Sequence, residues 1–413
     1  MVLSTEQQKV MKGHIESVSH NLSHSLTVAM AETQDLPEEI ILNIFSRLPV
    51  KSLIRFTSVS KRLHFIILSD PKFAQSQHKA ARFSRRLLVS TDAPQLESLP
   101  LDADTPSFGD PSSVRRLTLP FLHQPGGYVH LLGSCNGLVF LSAYKTFYYV
   151  WNPSLGFVKK LPESYATLSN REAHVFYGVG YLSATDDYKV LVASYDFTEL
   201  QLDITEDMSS IVEMFSLRTH TWERIESSVG FDVEPYCQGT LSNDALHWLN
   251  FYDEEHGIVC FDLAAKEFRG MWLPHFDNDG KSIRSLGVCE GCLCVSRYAE
   301  GVCDSVDLWV MKEYGVSDSW TTLFCLKVPD PPVWLEFGRK LLVVECSTFA
   351  VEGCQLIRID HKENRKVDQY MLKGILMCMV EYEESLLWIS CYHPVEATEQ
   401  GFPGGVQIDG FTM

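Results

Sequence analysis

The sequence predicts an α + β protein that keeps its two kinds of structure in separate domains. A small N-terminal three-helix domain is followed by an all-β C-terminal domain, built as a β-propeller of about six blades. Three observations predict this. The apolar pattern changes from a helical to a strand period near residue 80. The chain's 413 residues exceed what a single core organises. The strand-rich part repeats roughly every 45–55 residues, close to the spacing of propeller blades. The division that follows is 1–32 a flexible N-terminal segment, 33–78 the helical domain, 79–120 a linker and first strand, and 121–413 the β-domain.

In the helical part, Asp35 can cap the first helix, and Pro37, Glu38 and Glu39 suit its first turn. Ile40, Ile41, Ile44, Phe45 and Leu48 then share one face. Pro49 stops this helix, because it has no N–H and collides with the turn behind it. A second helical pattern runs through Leu53, Ile54, Phe56 and Val59. A third runs through Leu63, Ile66 and Ile67 until Asp70-Pro71 interrupts it. Three short helices make a core too small to stand comfortably alone, so a partner surface is expected.

Arg82, Arg85 and Arg86 read as a solvated basic linker. Residues 91–113, with Pro94, Pro100, Pro106 and Pro111 among Asp and Ser, read as an irregular connection. Beyond them one recurring unit climbs from small or polar into apolar residues. It appears as Gly137-Leu138-Val139, Tyr188-Lys189-Val190, Ala245-Leu246-His247-Trp248, Gly291-Cys292-Leu293, Lys340-Leu341-Leu342 and Ser385-Leu386-Leu387-Trp388. A second unit, ending in a turn, follows the first five; Val150-Trp151-Asn152-Pro153 and Cys260-Phe261-Asp262-Leu263 are examples. Six strand signals indicate about six blades, and a β-sandwich is the alternative architecture.

Composition narrows function. With 45% apolar and 21% charged residues the chain is globular rather than disordered. A net charge of −18 disfavours nucleic acid and anionic membranes as partners. No apolar run reaches the roughly 18 residues needed to cross a bilayer. Residues 1–32 lack the apolar stretch of a signal peptide, which predicts a cytoplasmic or nuclear protein whose twelve cysteines are reduced.

The helical segment resembles the F-box. The resemblance is carried by Asp35-Leu36-Pro37-Glu38-Glu39-Ile40-Ile41, by Ile44-Phe45-Ser46-Arg47-Leu48-Pro49-Val50-Lys51-Ser52-Leu53, and by Val59-Ser60-Lys61-Arg62 with Asp70-Pro71-Lys72-Phe73. It departs where Leu63 stands for the usual Trp and Thr57 lies near the usual Cys. The remainder is similar to the F-box-associated, kelch-like domain of the large plant F-box families. There the matching residues include Gly133-Ser134-Cys135-Asn136-Gly137-Leu138, Trp151-Asn152-Pro153, Gly178-Val179-Gly180-Tyr181 and Leu308-Trp309-Val310-Met311.

The resemblance implies a substrate-recognition subunit of a Skp1–cullin–F-box ubiquitin ligase. Its partners would be a Skp1-like adaptor, cullin through that adaptor, and an unknown protein substrate. Leu36, Pro37, Ile40, Ile44, Leu48, Pro49, Leu53 and Val59 are then the adaptor-binding positions, shared with a small internal core. Specificity belongs to loops of the β-domain, with the acidic stretch Asp196–Asp207 and the loops near Asp277, Glu300 and Asp330 as candidates.

No cofactor, metal or catalytic constellation is predicted. Cys289, Cys292 and Cys294 read as strand residues, Asp277-Asn278-Asp279-Gly280 as a turn, and His247 as a structural histidine. A propeller enzyme and a non-degradative F-box adaptor are the competing function classes. Replacing Leu36 and Pro37 together by Ala is expected to weaken adaptor binding by about 2 kcal/mol or more. Unchanged affinity in a titration would place both outside the anchor set.

Overall fold

The computed structural model describes residues 37–80, 84–92, 95–101, 110, 112–119, 129–143, 146–168, 174–195, 210–226, 233, 237–250, 257–276, 279–299, 305–327, 341–344, 347–352, 355–360 and 365–388. Among them are four N-terminal helices, followed by six four-stranded antiparallel sheets.

The helices are α1 (Glu38–Phe45), α2 (Val50–Phe56), α3 (Lys61–Ser69) and α4 (Pro71–Ala80). Asp35, the expected first cap, lies outside the described residues. Ser60 caps α3 by accepting the Leu63 N–H at 3.1 Å. The fourth helix corrects the expectation of three. Asp70-Pro71 reads as a break, but a proline at the first helical position has no N–H to leave unpaired. Asp70 Oδ1 accepts the Lys72 N–H at 2.9 Å, so the pair starts a helix instead of ending the fold.

Val50, Leu53, Ile66, Ile67, Phe73 and Ala74 form the helical core, while α1 contributes no fully buried residue. Two further members of this core, Leu386 and Leu387, come from beyond the last strand of the β-domain, and Leu155 packs beside them.

The sheets are propeller blades, counted here around the ring. Blade 1 joins Leu376–Glu383 to Arg85–Thr91, Leu96–Pro100 and Arg115–Leu117. Blade 2 holds Val129–Cys135, Leu138–Ala143, Phe147–Asn152 and Phe157–Lys160. Blade 3 holds His174–Leu182, Asp187–Tyr195, Ser210–Ser216 and Thr221–Ile225. Blade 4 holds Thr240–Ser242, Ala245–Leu249, Ile258–Asp262 and Glu267–Met271. Blade 5 holds Lys281–Cys289, Cys292–Ala299, Ser305–Met311 and Trp320–Lys327, and blade 6 Leu341–Val344, Ser347–Glu352, Gln355–Asp360 and Arg365–Met371. The first strand of each blade lies innermost, and inner strands neighbour one another around the ring. In blade 1 the inner strand is the last of the chain, paired with Arg85–Thr91 from Arg85↔Glu383 to Thr91↔Leu376.

Turn chemistry repeats from blade to blade. The first hairpins of blades 2, 4 and 5 close on Asn136-Gly137, Asn243-Asp244 and Glu290-Gly291, all with positive φ. That is the two-residue turn whose twist matches the strands. The turns joining third and fourth strands in blades 2, 3 and 4 begin with Asn152, Ser216 and Asp262, whose side chains accept N–H groups of Leu155, Thr219 and Ala265 at 3.0, 3.1 and 2.8 Å. Such side-chain caps spare each tight turn an unpaired donor. Between blades the contacts are large and apolar. Phe176, Leu191 and Val212 of blade 3 pack with Leu246, Trp248 and Phe261 of blade 4, and Trp248 Nε1 donates to the Tyr177 carbonyl at 2.9 Å.

Three sequence expectations are corrected here. The stretch read as an irregular connection contributes the strand Leu96–Pro100. Arg86 is buried rather than solvated, donating to Ser98 Oγ at 2.7 Å and to the carbonyls of Ser98 and Ser113 at 2.7 and 3.0 Å. Ser385-Leu386-Leu387-Trp388 is a tail past the closing strand, although its apolar run imitates a strand.

His247 is fully buried, with Nδ1 3.1 Å from the Thr240 carbonyl and Nε2 2.9 Å from the Tyr314 hydroxyl. Burial lowers its pKa from 6.5 to about 4. The unfolded chain takes up this proton first, so the stability tied to neutral His247 is intact above pH 6.5 and lost as pH falls toward 4, by up to about 3 kcal/mol. Chemical denaturation should show His247→Gln losing less stability than wild type over that window; parallel pH curves would contradict the assignment. A second comparison uses two turn glycines, Gly137 (φ +79°) and Gly291 (φ +77°). A Cβ on Gly137 would lie 2.2 Å from Ser385 Cβ, whereas one on Gly291 meets open space. Both Gly→Ala changes carry the left-handed cost of roughly 1–2 kcal/mol, and Gly137→Ala should lose measurably more.

Candidate functional site

The helical domain displays apolar side chains that its own core leaves out. Ile40 and Ile44, four residues apart on one face of α1, are 45% and 49% exposed. Val59, in the turn between α2 and α3, is 67% exposed, and Phe65 on α3 is 63% exposed. Pro37 and Pro49 are exposed as well. These four large side chains are a disproportionate share of the ten such exposed residues among those described. Exposed apolar side chains concentrated on so small a domain make it the candidate interaction site.

The adjoining side of α1 is turned inward, so the single face expected for Ile40, Ile41, Ile44, Phe45 and Leu48 is split between solvent and core. Ile41, Leu42 and Phe45 are half-buried, and Phe45 stacks on Phe56 with ring centroids 5.0 Å apart. Arg62 of α3 grips Glu38 of α1 through both carboxylate oxygens, Nε to Oε1 at 3.0 Å. This bond holds the Glu38 carboxyl below its ordinary range. The fork ties the first turn of α1 to α3.

Leu53, an expected partner-binding position, is fully buried among the helical core residues and is corrected to a core residue. On the short α2, Val50 and Leu53 are one turn apart and both point inward. Leu48 is half-buried against the same core, and Leu36 lies outside the described residues. Phe65 escaped the sequence reading, because beside Ile66 and Ile67 it looks like one more core residue.

In the β-domain, Cys289 and Cys292 face each other across a hairpin, and Cys289 and Cys294 pack with Leu308 and Val310. Burial pushes the Cys294 thiol pKa up. Asp279 accepts the Lys281 N–H at 3.1 Å and pairs with Arg297, so it serves the local turn. Among the described residues, no three His, Cys, Asp or Glu side chains gather as metal ligands.

The helices occupy one end of the ring. Asn136 of the first turn in blade 2 lies beside His78 of α4, and Leu155, in the turn between third and fourth strands of that blade, joins the helical core. Both turns sit at the same end of the antiparallel strands. The connections between second and third strands therefore leave from the far end, after Tyr195, Asn250 and Ala299. The stretch Asp196–Asp207 and the positions Asp277, Glu300 and Asp330 themselves lie outside the described residues.

Comparison with known proteins agrees with this division. Residues 34–75 match the F-box domain, and residues 109–389 match the F-box associated beta propeller domain. F-box protein CPR1 of Arabidopsis thaliana is 33% identical over 335 residues, covering 74% of this chain and 76% of that protein. An F-box/kelch-repeat protein of the same plant is 28% identical, covering 79% and 90%. Its F-box/WD-40 repeat-containing protein 1 is 24% identical, covering 84% and 83%.

Proposed function

Because the chain belongs to the F-box proteins that carry an F-box-associated β-propeller, we propose that it is the substrate-recognition subunit of a Skp1–cullin–F-box ubiquitin ligase. The observation that carries this reading is the exposure of Ile40, Ile44, Val59 and Phe65 on a small helical domain whose core is built from other side chains. An adaptor of the Skp1 class covers these side chains with apolar helix surface, and through it the chain reaches cullin.

The subunit breaks and forms no bonds. It holds a protein substrate beside a ubiquitin-charged enzyme, replacing a dilute encounter with a high effective concentration. The substrate is met at the end of the ring away from the helices. In sequence, the connections between second and third strands of blades 3, 4 and 5 (196–209, 251–256 and 300–304) carry ten Asp and Glu and no Lys or Arg, while that of blade 2 holds Lys145. A basic segment of the substrate complements that charge. The work of such a subunit lies in the cytoplasm or nucleus.

The test is a titration of the purified chain against a Skp1-family adaptor. Ile40→Glu combined with Ile44→Glu places two charges in the proposed interface and should weaken binding at least a hundredfold, about 2.7 kcal/mol. The thermal transition should stay near that of wild type, since neither side chain belongs to the helical core. Undiminished affinity of the folded double variant would remove this face from the interface.

A further inference from the structure

The closing strand of blade 1 runs out at Glu383, and the five residues after it pass between propeller and helices. Each is held. The Glu384 N–H donates to the Ser84 carbonyl at 3.0 Å, and its carboxylate pairs with Arg115. The Ser385 N–H donates to Ser154 Oγ at 3.2 Å. The Asn152 amide donates to the carbonyls of Ser385 and Leu387 at 2.9 and 2.6 Å. The Trp388 ring lies 5.0 Å from that of Phe157. Held this way, Leu386 and Leu387 are 2% exposed and sit inside the helical core.

Asn152 does more here than its counterparts do in the other blades. Like Ser216 and Asp262, it caps its own turn through an oxygen. Only an amide also brings N–H donors, and both of its bonds go to the tail. The backbone of Gly137 lies against Ser385 from the neighbouring turn, too close to admit a Cβ.

We propose that the tail is a coupling element, anchored by Asn152, that makes the adaptor-binding helices and the closed propeller ring one cooperative unit. The helical core is complete only while Leu386 and Leu387 are in it. The tail is in place only while Leu376–Glu383 is paired with Arg85–Thr91. Opening the ring therefore loosens the helices, and a ligand that stabilises the helices stabilises the ring closure in return. The link to the adaptor rests on the function proposed above; the link between helices and ring does not.

Hydrogen exchange on the full chain separates the two. Asn152→Asp keeps the turn cap and removes the donors to the tail, and Leu386→Ala with Leu387→Ala empties the helical core from the far side. Both should speed exchange across residues 38–80 at least fivefold, with blades 4 and 5 at wild-type rates. Adding a Skp1-family adaptor to wild type should slow exchange in residues 376–387, and both variants should bind it at least fivefold more weakly. Helices that exchange at the wild-type rate in both variants overturn the coupling. So does a bound adaptor that leaves residues 376–387 unprotected. A wild-type chain that fails to bind the adaptor rejects the adaptor reading instead, and the exchange rates of the variants still decide whether tail and helices are coupled.

Discussion

A ring of blades has one seam, and in this protein the seam is the pairing of Leu376–Glu383 with Arg85–Thr91. Every other blade is a local antiparallel meander that its own hairpins can assemble. Blade 1 instead brings together strands from nearly opposite ends of the described chain, which is the entropically demanding contact in the fold. Its side chains show how that demand is met. Leu88 and Tyr382 pack with Leu131, Val139 and Trp151 of blade 2, while Leu87, Leu99 and Met379 pack with Leu356 and Tyr370 of blade 6. Beneath them Arg86 bonds Ser98, whose hydroxyl also meets the Tyr382 hydroxyl at 2.8 Å. Closing the ring thus completes two inter-blade cores and one buried polar network together.

The same seam explains how so small a helical domain persists. Four short helices expose much of the apolar surface they carry, and α1 buries no residue fully. The shortfall is shared between inside and outside. Leu155, Leu386 and Leu387 supply a floor from the propeller, and Ile40, Ile44, Val59 and Phe65 remain exposed.

Much of this was legible in the sequence, and the failures have identifiable causes. The change of period near residue 80 and the strand units recurring at blade spacing are local signals, because each element's own backbone geometry dictates them. They were enough to predict helices followed by blades. What failed depended on contacts far apart in sequence. Ser385-Leu386-Leu387-Trp388 has a strand's composition, but its burial comes from the helices, so period alone could not place it. Arg86 looked like linker charge because nothing local reveals Ser98 and Ser113 waiting to accept from it. Leu53 and Ile44 are both helical leucine-type positions, and only the packed helices show that one is inside and the other outside. Among the proposed interface positions, Phe65 had no sequence signal at all.

The closing strand and its tail are also the last described parts of the chain to be synthesised. While blades 2 to 5 can form as they emerge, the strand Arg85–Thr91 must wait with an unpaired edge until Leu376–Glu383 arrives. The helices wait equally long for Leu386 and Leu387. A message broken before this point yields a polypeptide with an open ring and helices lacking their floor. Neither half of the molecule is finished before the other, because one late segment completes both the ring and the helical core.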